Sequence, residues 1–457
     1  MEKVCSMSES NLKRTLSTKD LVVYGIIFMI PVAPIAFYGS FLVPANGMVA
    51  LAYLVGMVAM LFTGFSYATM SNKYPFSGSV YTYIQQGTNS ALGFIAGWGI
   101  CLDYFLIPTI TYLISATFGK QLLPFVPFWA WIIILTVVNT VINLLGVDVV
   151  SKISWGLFGL QAIVLLSFII GTVFGLINGT IQPHSISLYN PQHFNFSGVL
   201  QATGIVIVSY LGFDAISTLS EEAKDPKKSI GKAILLSIIS IGTLFVIITI
   251  LAGFVAPDYT KLNPDTAFLD ILGKVGGQWL VTLANISIIL SFGFASGQEG
   301  QTAISRILFA MGRDGILPRQ LAWIHPKYRT PWVAIIFVGI AALVTSFLLD
   351  MTTVSNLVSF GALFGFILLN FAVIWQFYIR NSDKSLINTI KYAISPLIGL
   401  LVSGWIFISL SPIAKIVGSV WLLVGVLILV ANTRFFTTSI PRFKFEQVAE
   451  LERKEDK

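Results

Sequence analysis

The chain has 457 residues, of which 55% are hydrophobic and only 11% are charged, and its mean hydropathy is +0.83. Soluble domains carry roughly 25% charged residues, so this chain has too few to cover the surfaces of several water-soluble domains. An apolar helix of about 20 residues crosses a bilayer, and the length accommodates about twelve such helices with short connections. The composition excludes an ordinary soluble enzyme and predicts an all-α polytopic membrane protein.

Twelve apolar stretches are long enough to be transmembrane spans, and together they form one predicted membrane domain, residues 20–435. Spans one to twelve are expected at about 20–44, 47–71, 88–118, 127–146, 153–177, 197–219, 232–255, 278–311, 331–349, 353–378, 392–411 and 414–435. The polar N-terminal segment 1–19 lacks the apolar core of a signal peptide. We therefore expect it to remain as a tail, like the mixed-charge segment 436–457 at the other end.

The basic residues indicate topology rather than nucleic-acid binding, although the formal net charge is +7. With the N-terminus inside, the outer connections hold four basic residues, and the other 24 of the 28 face the cytoplasm or its edge. The four are Lys120, Lys261, Lys274 and Lys415. Such an asymmetry follows the positive-inside rule. It predicts that both termini are cytoplasmic and that the protein resides in the cell membrane, with the lipid bilayer as its surroundings.

Span one is interrupted in its middle by Pro31 and Pro34. Each proline removes a backbone donor and crowds the preceding turn. A simple kink would explain the pair. The alternative is an unwound stretch whose free peptide groups bind ions or the polar ends of a substrate.

Span six carries its own interruption, the run Ser209-Tyr210-Leu211-Gly212-Phe213-Asp214. An acid after a glycine is costly in a lipid-facing helix, but it is reasonable where one helix ends and Asp214 caps the next. Capping and ligand binding are equally good interpretations of Asp214. Tyr210 and Phe213 flank the predicted break and can cover an amine by cation–π contact.

The two interruptions fall in the first helices of two successive five-span blocks, about 20–177 and 197–378. Paired interrupted segments in corresponding places are typical of secondary transporters built from inverted repeats. Spans eleven and twelve, about 392–435, lie outside the predicted repeats.

Three acids are expected near mid-membrane, Asp103 in span three, Asp214 in span six and Glu299 in span eight, with no lysine or arginine at comparable depth. Each must protonate, pair with a cation or contact water, and so a site for protons, metal cations or amines is favoured over one for simple anions. Alternatively, one or two of them are neutral acids hydrogen-bonded between helices. Any of the three is a candidate to exchange a coupling proton.

Motifs for other chemistry are missing from the sequence. It contains no nucleotide loop, metal-ligand cluster or nucleophile–base pairing, and its histidines, His184, His193 and His325, fall in connections. We therefore predict no cofactor, no bound metal, no nucleic-acid partner and no enzymatic activity.

Several separated motifs occur in an order that resembles the amino acid–polyamine–organocation (APC) superfamily, and most closely its bacterial putrescine importers. They are Gly97-Trp98, Leu102-Asp103-Tyr104, Leu211-Gly212-Phe213-Asp214, Leu219-Ser220-Glu221-Glu222, Ser305-Arg306, Met311-Gly312-Arg313-Asp314-Gly315 and His325-Pro326-Lys327-Tyr328-Arg329-Thr330-Pro331. The resemblance implies a LeuT-like fold of two inverted five-helix repeats plus two extra helices. It also implies uptake of amino acids or amines, commonly driven by protons.

The chain departs from that pattern at three positions. Ala36 stands where the putrescine importers carry an aspartate, Glu299 is an acid that they lack, and Gln161 stands where many proton-coupled relatives have a lysine. An acid of this chain would therefore have to carry a coupling proton.

Our hypothesis from the sequence is a secondary active importer of an amino acid or small organic amine, coupled to protons. Na⁺ coupling, polyamine import and substrate exchange are alternatives within the same fold, and a non-transporting nutrient receptor is an alternative of another class. The predicted substrate-binding residues are Met29, Ile30, Pro31, Val32, Ala33, Pro34, Asp103, Tyr104, Ser209, Tyr210, Gly212, Phe213, Asp214, Gln298 and Glu299.

Overall fold

A computed structural model describes residues 15–74, 80–146, 150–220, 222–313, 315–381 and 384–433. This part of the chain is helical, and its one β pairing is an isolated bridge between Leu16 and Ala223. The predicted tail 436–457 lies outside the described residues, as do all but the last five residues of the predicted tail 1–19 and two residues of the quoted motifs, Glu221 and Asp314.

The observed helices follow the predicted spans to within a few residues, and we keep the span numbers. Spans two to five are Val49–Lys73, Ser90–Leu122, Phe128–Leu145 and Val150–Ile177, span seven is Pro226–Val255, span nine is Trp332–Leu348 and span twelve is Pro412–Asn432. Span ten is Met351–Val373 and continues as a π-helix, Ile374–Ile379; span eleven comprises Leu386–Thr389, the π-helix Ile390–Ile394 and Ser395–Ser409. The two interrupted spans and span eight are described below.

Within the described ranges, ten helices are long and apolar enough to cross a membrane, and eleven if the two halves of span one count as one. Trp332–Leu348 is apolar but has only 17 residues. The number twelve therefore stays a prediction.

Span one is broken as its prolines suggested. One helix, Thr18–Phe28, ends before Met29, and a second, Ala33–Leu42, begins after Val32 with the two axes bent by 45°. Between them Ile30 has φ +46°, a conformation that is strained for a β-branched residue. The neighbouring Pro31 disfavours the right-handed α conformation at Ile30 and so opposes continuation of the first helix.

Span six is broken at the predicted glycine. The helix Phe196–Tyr210 ends in an extended Leu211, Gly212 has φ +112°, and a 3₁₀-helix, Asp214–Leu219, follows. A residue with a Cβ does not adopt such a φ without strain. The interruptions in both first helices of the predicted repeats are therefore present.

The residue that precedes span one is also bonded to the connection that follows span six. Leu16 N–H donates to Glu222 O, and Lys224 N–H donates to Leu16 O, both at 3.0 Å. Just after Leu16, Ser17 and Asp20 form a reciprocal capping box at the first turn of span one. The beginning of span one is thereby held against the connection that follows span six.

Four short helices were not predicted. They are Val80–Gly87, Ala267–Gly276 and the 3₁₀-helices Tyr259–Lys261 and Arg319–Ala322, all in connections. Each is too short to give a clear hydrophobic period, which is the signal that sequence interpretation depends on.

Candidate functional site

The two interruptions meet in the middle of the molecule. A Cβ placed on Gly212 would lie 2.9 Å from both the carbonyl carbon and the carbonyl oxygen of Phe28, the last residue of the first half of span one. Only glycine allows the two backbones this approach. The unwound segments of spans one and six are therefore neighbours, as a shared substrate site requires.

A cavity of about 40 Å³ opens beside the break of span one. Its lining comes from spans one, five and eight: Ile27, Phe28, Ile30, Ser154, Leu157, Gln161, Ser291, Ala295, Ser296 and Glu299. The volume holds a few water molecules and is smaller than an amino acid. A substrate would need this space to widen, as alternating access provides.

Glu299 is the one charged side chain among the described residues that line this cavity, and it is exposed. It lies in the first turn of the helix Gly297–Arg313. Directly before that helix, span eight adopts π geometry over Ile289–Ser296, after its first segment Gln278–Ile288. π geometry inside helices is frequent at functional sites, and Ser291 and Ser296 of this segment line the same cavity.

Gln161 connects span five to the broken span one. Val32 N–H, freed by the break, donates to Gln161 Oε1 at 3.4 Å. Gln161 is buried and lines the cavity that contains Glu299. At the position where many relatives of the resembled family carry a lysine, this chain thus has a neutral acceptor for an unwound peptide group.

Asp103 and Asp214 form a separate group. Asp103 is only 7% exposed, and its Oδ1 has no hydrogen-bond partner among the described residues. Asp214 is close enough to interact with it electrostatically. Span ten packs tightly here, since a Cβ on Gly361 would lie 2.9 Å from the backbone nitrogen of Asp103. The structure therefore brings two of the three predicted acids near each other and places Glu299 at the cavity beside the break of span one.

Asp214 binds the backbone of the break, but it is not the N-cap that was predicted: it is the first residue of the 3₁₀-helix Asp214–Leu219, whose N-cap is Phe213. Its Oδ1 accepts a hydrogen bond from Gly212 N–H at 3.2 Å. The contact stabilises the unwound turn, but the carboxylate also lies near the buried Asp103. Asp214 therefore holds the break through Gly212 in place of the predicted cap, and its role as a ligand stays a prediction.

Aromatic rings surround the break of span six. Phe213 is fully buried, with ring centroids 5.5 Å from those of Tyr67 and Phe366. The hydroxyl of Tyr67 has no hydrogen-bond partner in the part of the chain that the structure describes. Tyr104 interacts electrostatically with Asp103 and Asp214. Phe213 at the break is thus packed between aromatic rings of spans two and ten.

Several predicted binding residues are engaged in packing. Tyr210 OH donates to the Tyr53 backbone oxygen at 2.8 Å, and Ser209 Oγ lies 3.1 Å from Tyr53 OH. The side chain of Gln298 is buried, and its backbone oxygen accepts from Thr302 Oγ1 at 2.8 Å. In span one, Ile30 lines the cavity, whereas Met29, Pro31, Val32, Ala33 and Pro34 are buried. Their binding roles stay predictions.

The substrate-site prediction omitted Ser154, Gln161, Ser291, Ser296 and Tyr67. Gln161 had one signal, a polar residue in an otherwise apolar span, and Ser296 adjoined the polar run that holds Glu299. Ser154, Ser291 and Tyr67 gave no such signal, because serine and tyrosine are common in apolar helices.

We expect two substitutions at Asp214 to separate the effect of its hydrogen bond with Gly212 from the effect of its charge. In Asp214→Asn an amide oxygen can still accept from Gly212 N–H, whereas Asp214→Ala removes both the acceptor and the charge. If the carboxylate acts as a charge, both variants lose transport by about tenfold or more, with unchanged amounts of folded protein. Near-normal transport by Asp214→Asn alone would show that the residue acts only through its hydrogen bond with Gly212. Uptake by the purified variants in vesicles measures the difference.

Comparisons with known proteins agree with this architecture. The sequence model described as Amino acid permease matches residues 21–439. The low-affinity putrescine importer PlaP of Escherichia coli K12 is 32% identical over 445 residues, which cover 96% of this chain and 97% of that protein. The branched-chain amino acid permease BcaP of Bacillus subtilis is 27% identical, over 92% of this chain and 93% of its own.

Among solved structures, MhsT in complex with L-phenylalanine matches with a TM-score of 0.58. The match covers 87% of this chain and 99% of that one, at 14% sequence identity. A likeness at this identity concerns the fold alone. It confirms the predicted LeuT-like arrangement, in which the first helix of each repeat is broken.

Proposed function

The chain belongs to the amino acid permease family, and from this premise we propose that it imports an amino acid or small organic amine by alternating access. It is a membrane transporter rather than an enzyme. In our proposal the substrate lies beside the broken spans one and six, and its ammonium group is neutralised by an acid of this chain.

The observation that carries the proposal is the charge of the cavity beside Ile30. Its described lining holds one carboxylate, that of Glu299, with hydroxyl and amide groups and no lysine or arginine. A carboxylate among otherwise neutral lining groups attracts a cation by Coulomb interaction. An ammonium group satisfies this requirement, and a simple anion does not.

A second candidate within the same fold is import or exchange of a diamine or polyamine. Phe28 lines the cavity of Glu299, and its backbone adjoins Gly212, whose N–H binds Asp214. Acids therefore lie on both sides of the Phe28–Gly212 contact. Two separated carboxylate sites match a substrate with two ammonium groups better than they match a neutral amino acid.

We propose that protons drive transport and that Glu299, Asp214 or Asp103 carries the coupling proton. Gln161 does not titrate, and so the amide cannot replace a proton-carrying lysine. Among the three, Asp103 is buried, and protonation of a buried acid removes the cost of burying its charge.

Gradient-driven uptake by purified protein in liposomes tests the mechanism. Radiolabelled leucine, arginine and putrescine would each be offered under an inward proton gradient, an inward sodium gradient, or with unlabelled substrate preloaded. We expect accumulation of at least one substrate under the proton gradient and none above protein-free liposomes under sodium alone. Accumulation under sodium alone would overturn proton coupling, and uptake only into preloaded vesicles would indicate an exchanger.

The same assay addresses the alternative of a nutrient receptor. A receptor would bind one of these compounds, raising the thermal stability of the purified protein by mass action, without accumulation under any gradient.

We further propose that the protein resides in the cell membrane with both termini in the cytoplasm, as the distribution of basic residues predicts.

A further inference from the structure

A second cavity, of about 320 Å³, lies between spans four and nine, outside the transport site. Its walls include Val141 and Leu145 from the end of span four, and Trp332 and Ile336 from the start of span nine. The mouth is formed by His325 and Tyr328 in the connection between spans eight and nine. Neither the broken helices nor the acids of the transport site contribute to it.

The connection that forms the mouth is firmly held. His325 Nδ1 accepts hydrogen bonds from the backbone N–H groups of Lys327 and Tyr328, each at 3.2 Å. Thr330 Oγ1 donates to Leu144 O at 2.8 Å, which ties the loop to the end of span four. With Nδ1 acting as an acceptor, the neutral imidazole carries its proton on Nε2 and can donate there. The mouth is thus an ordered polar rim.

The apolar walls continue onto exposed helix faces. Val141 is 46% exposed, and on span nine Ile340, one turn beyond Ile336, is 58% exposed. Exposed apolar faces on transmembrane helices contact lipid chains. The cavity is therefore the end of a lipid-facing groove, and the polar rim closes that end.

Positive charge accumulates at this rim. The connection 315–331, between the helices Gly297–Arg313 and Trp332–Leu348, holds three basic residues and no acid. Lys327 Nζ lies 5.3 Å from the ring centroid of Tyr328, which lines the mouth. Lys327 and Arg329 are both exposed, and Lys327 makes no salt bridge within the described ranges. The rim therefore complements a negative headgroup, and the groove complements an acyl chain.

We propose that this groove is a binding site for an anionic phospholipid. One acyl chain would lie against Val141, Leu145 and Ile336, while the phosphate would be bound by Lys327 and Arg329 with the Nε2–H of His325. Basic pockets between transmembrane helices are suited to anionic lipid headgroups. The proposal does not depend on which substrate is transported.

Photo-crosslinking tests the location. The purified full-length protein would be reconstituted in phosphatidylcholine vesicles containing a small fraction of phosphatidylglycerol with a diazirine on its acyl chain. We expect labelled peptides to come from residues 137–146 and 328–340, and unlabelled phosphatidylglycerol to compete better than phosphatidylcholine. Labelling spread over all lipid-facing helices, or equal competition by both lipids, would overturn the site.

Charge substitutions test the headgroup contact. The double variant Lys327→Gln with Arg329→Gln should lower labelling of the groove by about 10- to 30-fold, since each basic residue contributes to anionic-lipid binding. The charge-conserving pair Lys327→Arg with Arg329→Lys should retain labelling and so controls for folding of the loop. The matched control Lys274→Gln with Lys415→Gln, on the outer connections, should have no effect. Unchanged labelling in the first double variant would refute the proposal.

Discussion

Replacing Gly212 with leucine is expected to abolish transport. The residue has φ +112°, and a Cβ there would overlap the backbone of Phe28 at 2.9 Å. Strain at such a position is worth up to ~3 kcal/mol, equivalent to a loss of about 100-fold, and the rigid neighbour is main chain that cannot rotate away. Initial rates of uptake in proteoliposomes measure the effect.

The control for this substitution is Gly404→Leu. Gly404 lies in span eleven, and a Cβ there would meet no atom within 4 Å. The Gly404→Leu variant should therefore transport at the normal rate. Gly212→Ala, which adds only the Cβ, should show the same loss if the close approach of the two breaks is required. Should Gly212→Leu be folded and active, the break of span six would have no role in transport.

The second large effect is expected for Glu299→Gln. The substitution preserves size and one acceptor oxygen but removes the one charge of the described cavity lining. Hydrogen bonds to charged groups are worth ~1.5–3 kcal/mol, so we expect gradient-driven uptake to fall by about 10- to 100-fold. The kinetics of uptake under a fixed proton gradient measure this loss, and Asp270→Asn, at an exposed acid in Ala267–Gly276, is the matched control.

Exchange without a gradient distinguishes the two roles open to Glu299. If the carboxylate binds the ammonium of the substrate, Glu299→Gln should lose exchange and driven uptake together. If it carries only the coupling proton, exchange into preloaded vesicles should persist while driven uptake is lost. Normal rates in both assays would show that the acid of this cavity does not participate.

The membrane class and the positions of the breaks were predictable because they depend on local chemistry. Runs of apolar residues mark the spans wherever they pack. Pro31 lacks a backbone donor, and Gly212 tolerates a positive φ, so both interruptions are properties of a few adjacent residues. The fold follows from these local features and is confirmed by the likeness to MhsT.

The grouping of the acids was not predictable. From the sequence, Asp103, Asp214 and Glu299 were three candidate mid-membrane charges, with no indication of which of them lay together. In the structure Asp103 and Asp214 interact, whereas Glu299 faces a cavity with Gln161. The π geometry of Ile289–Ser296 contributes to this difference, because a wider turn rotates the following residues away from the face that an α-helix would give them.

The sequence by itself determined where this chain enters the bilayer and where its helices cannot remain regular, since apolar length and the backbone limits of proline and glycine act within a few residues. Only the tertiary structure decided which distant groups share a space. The hydrogen bond from Val32 to Gln161 joins residues 129 positions apart. Such a pairing depends on how whole helices pack, and no local pattern encodes it.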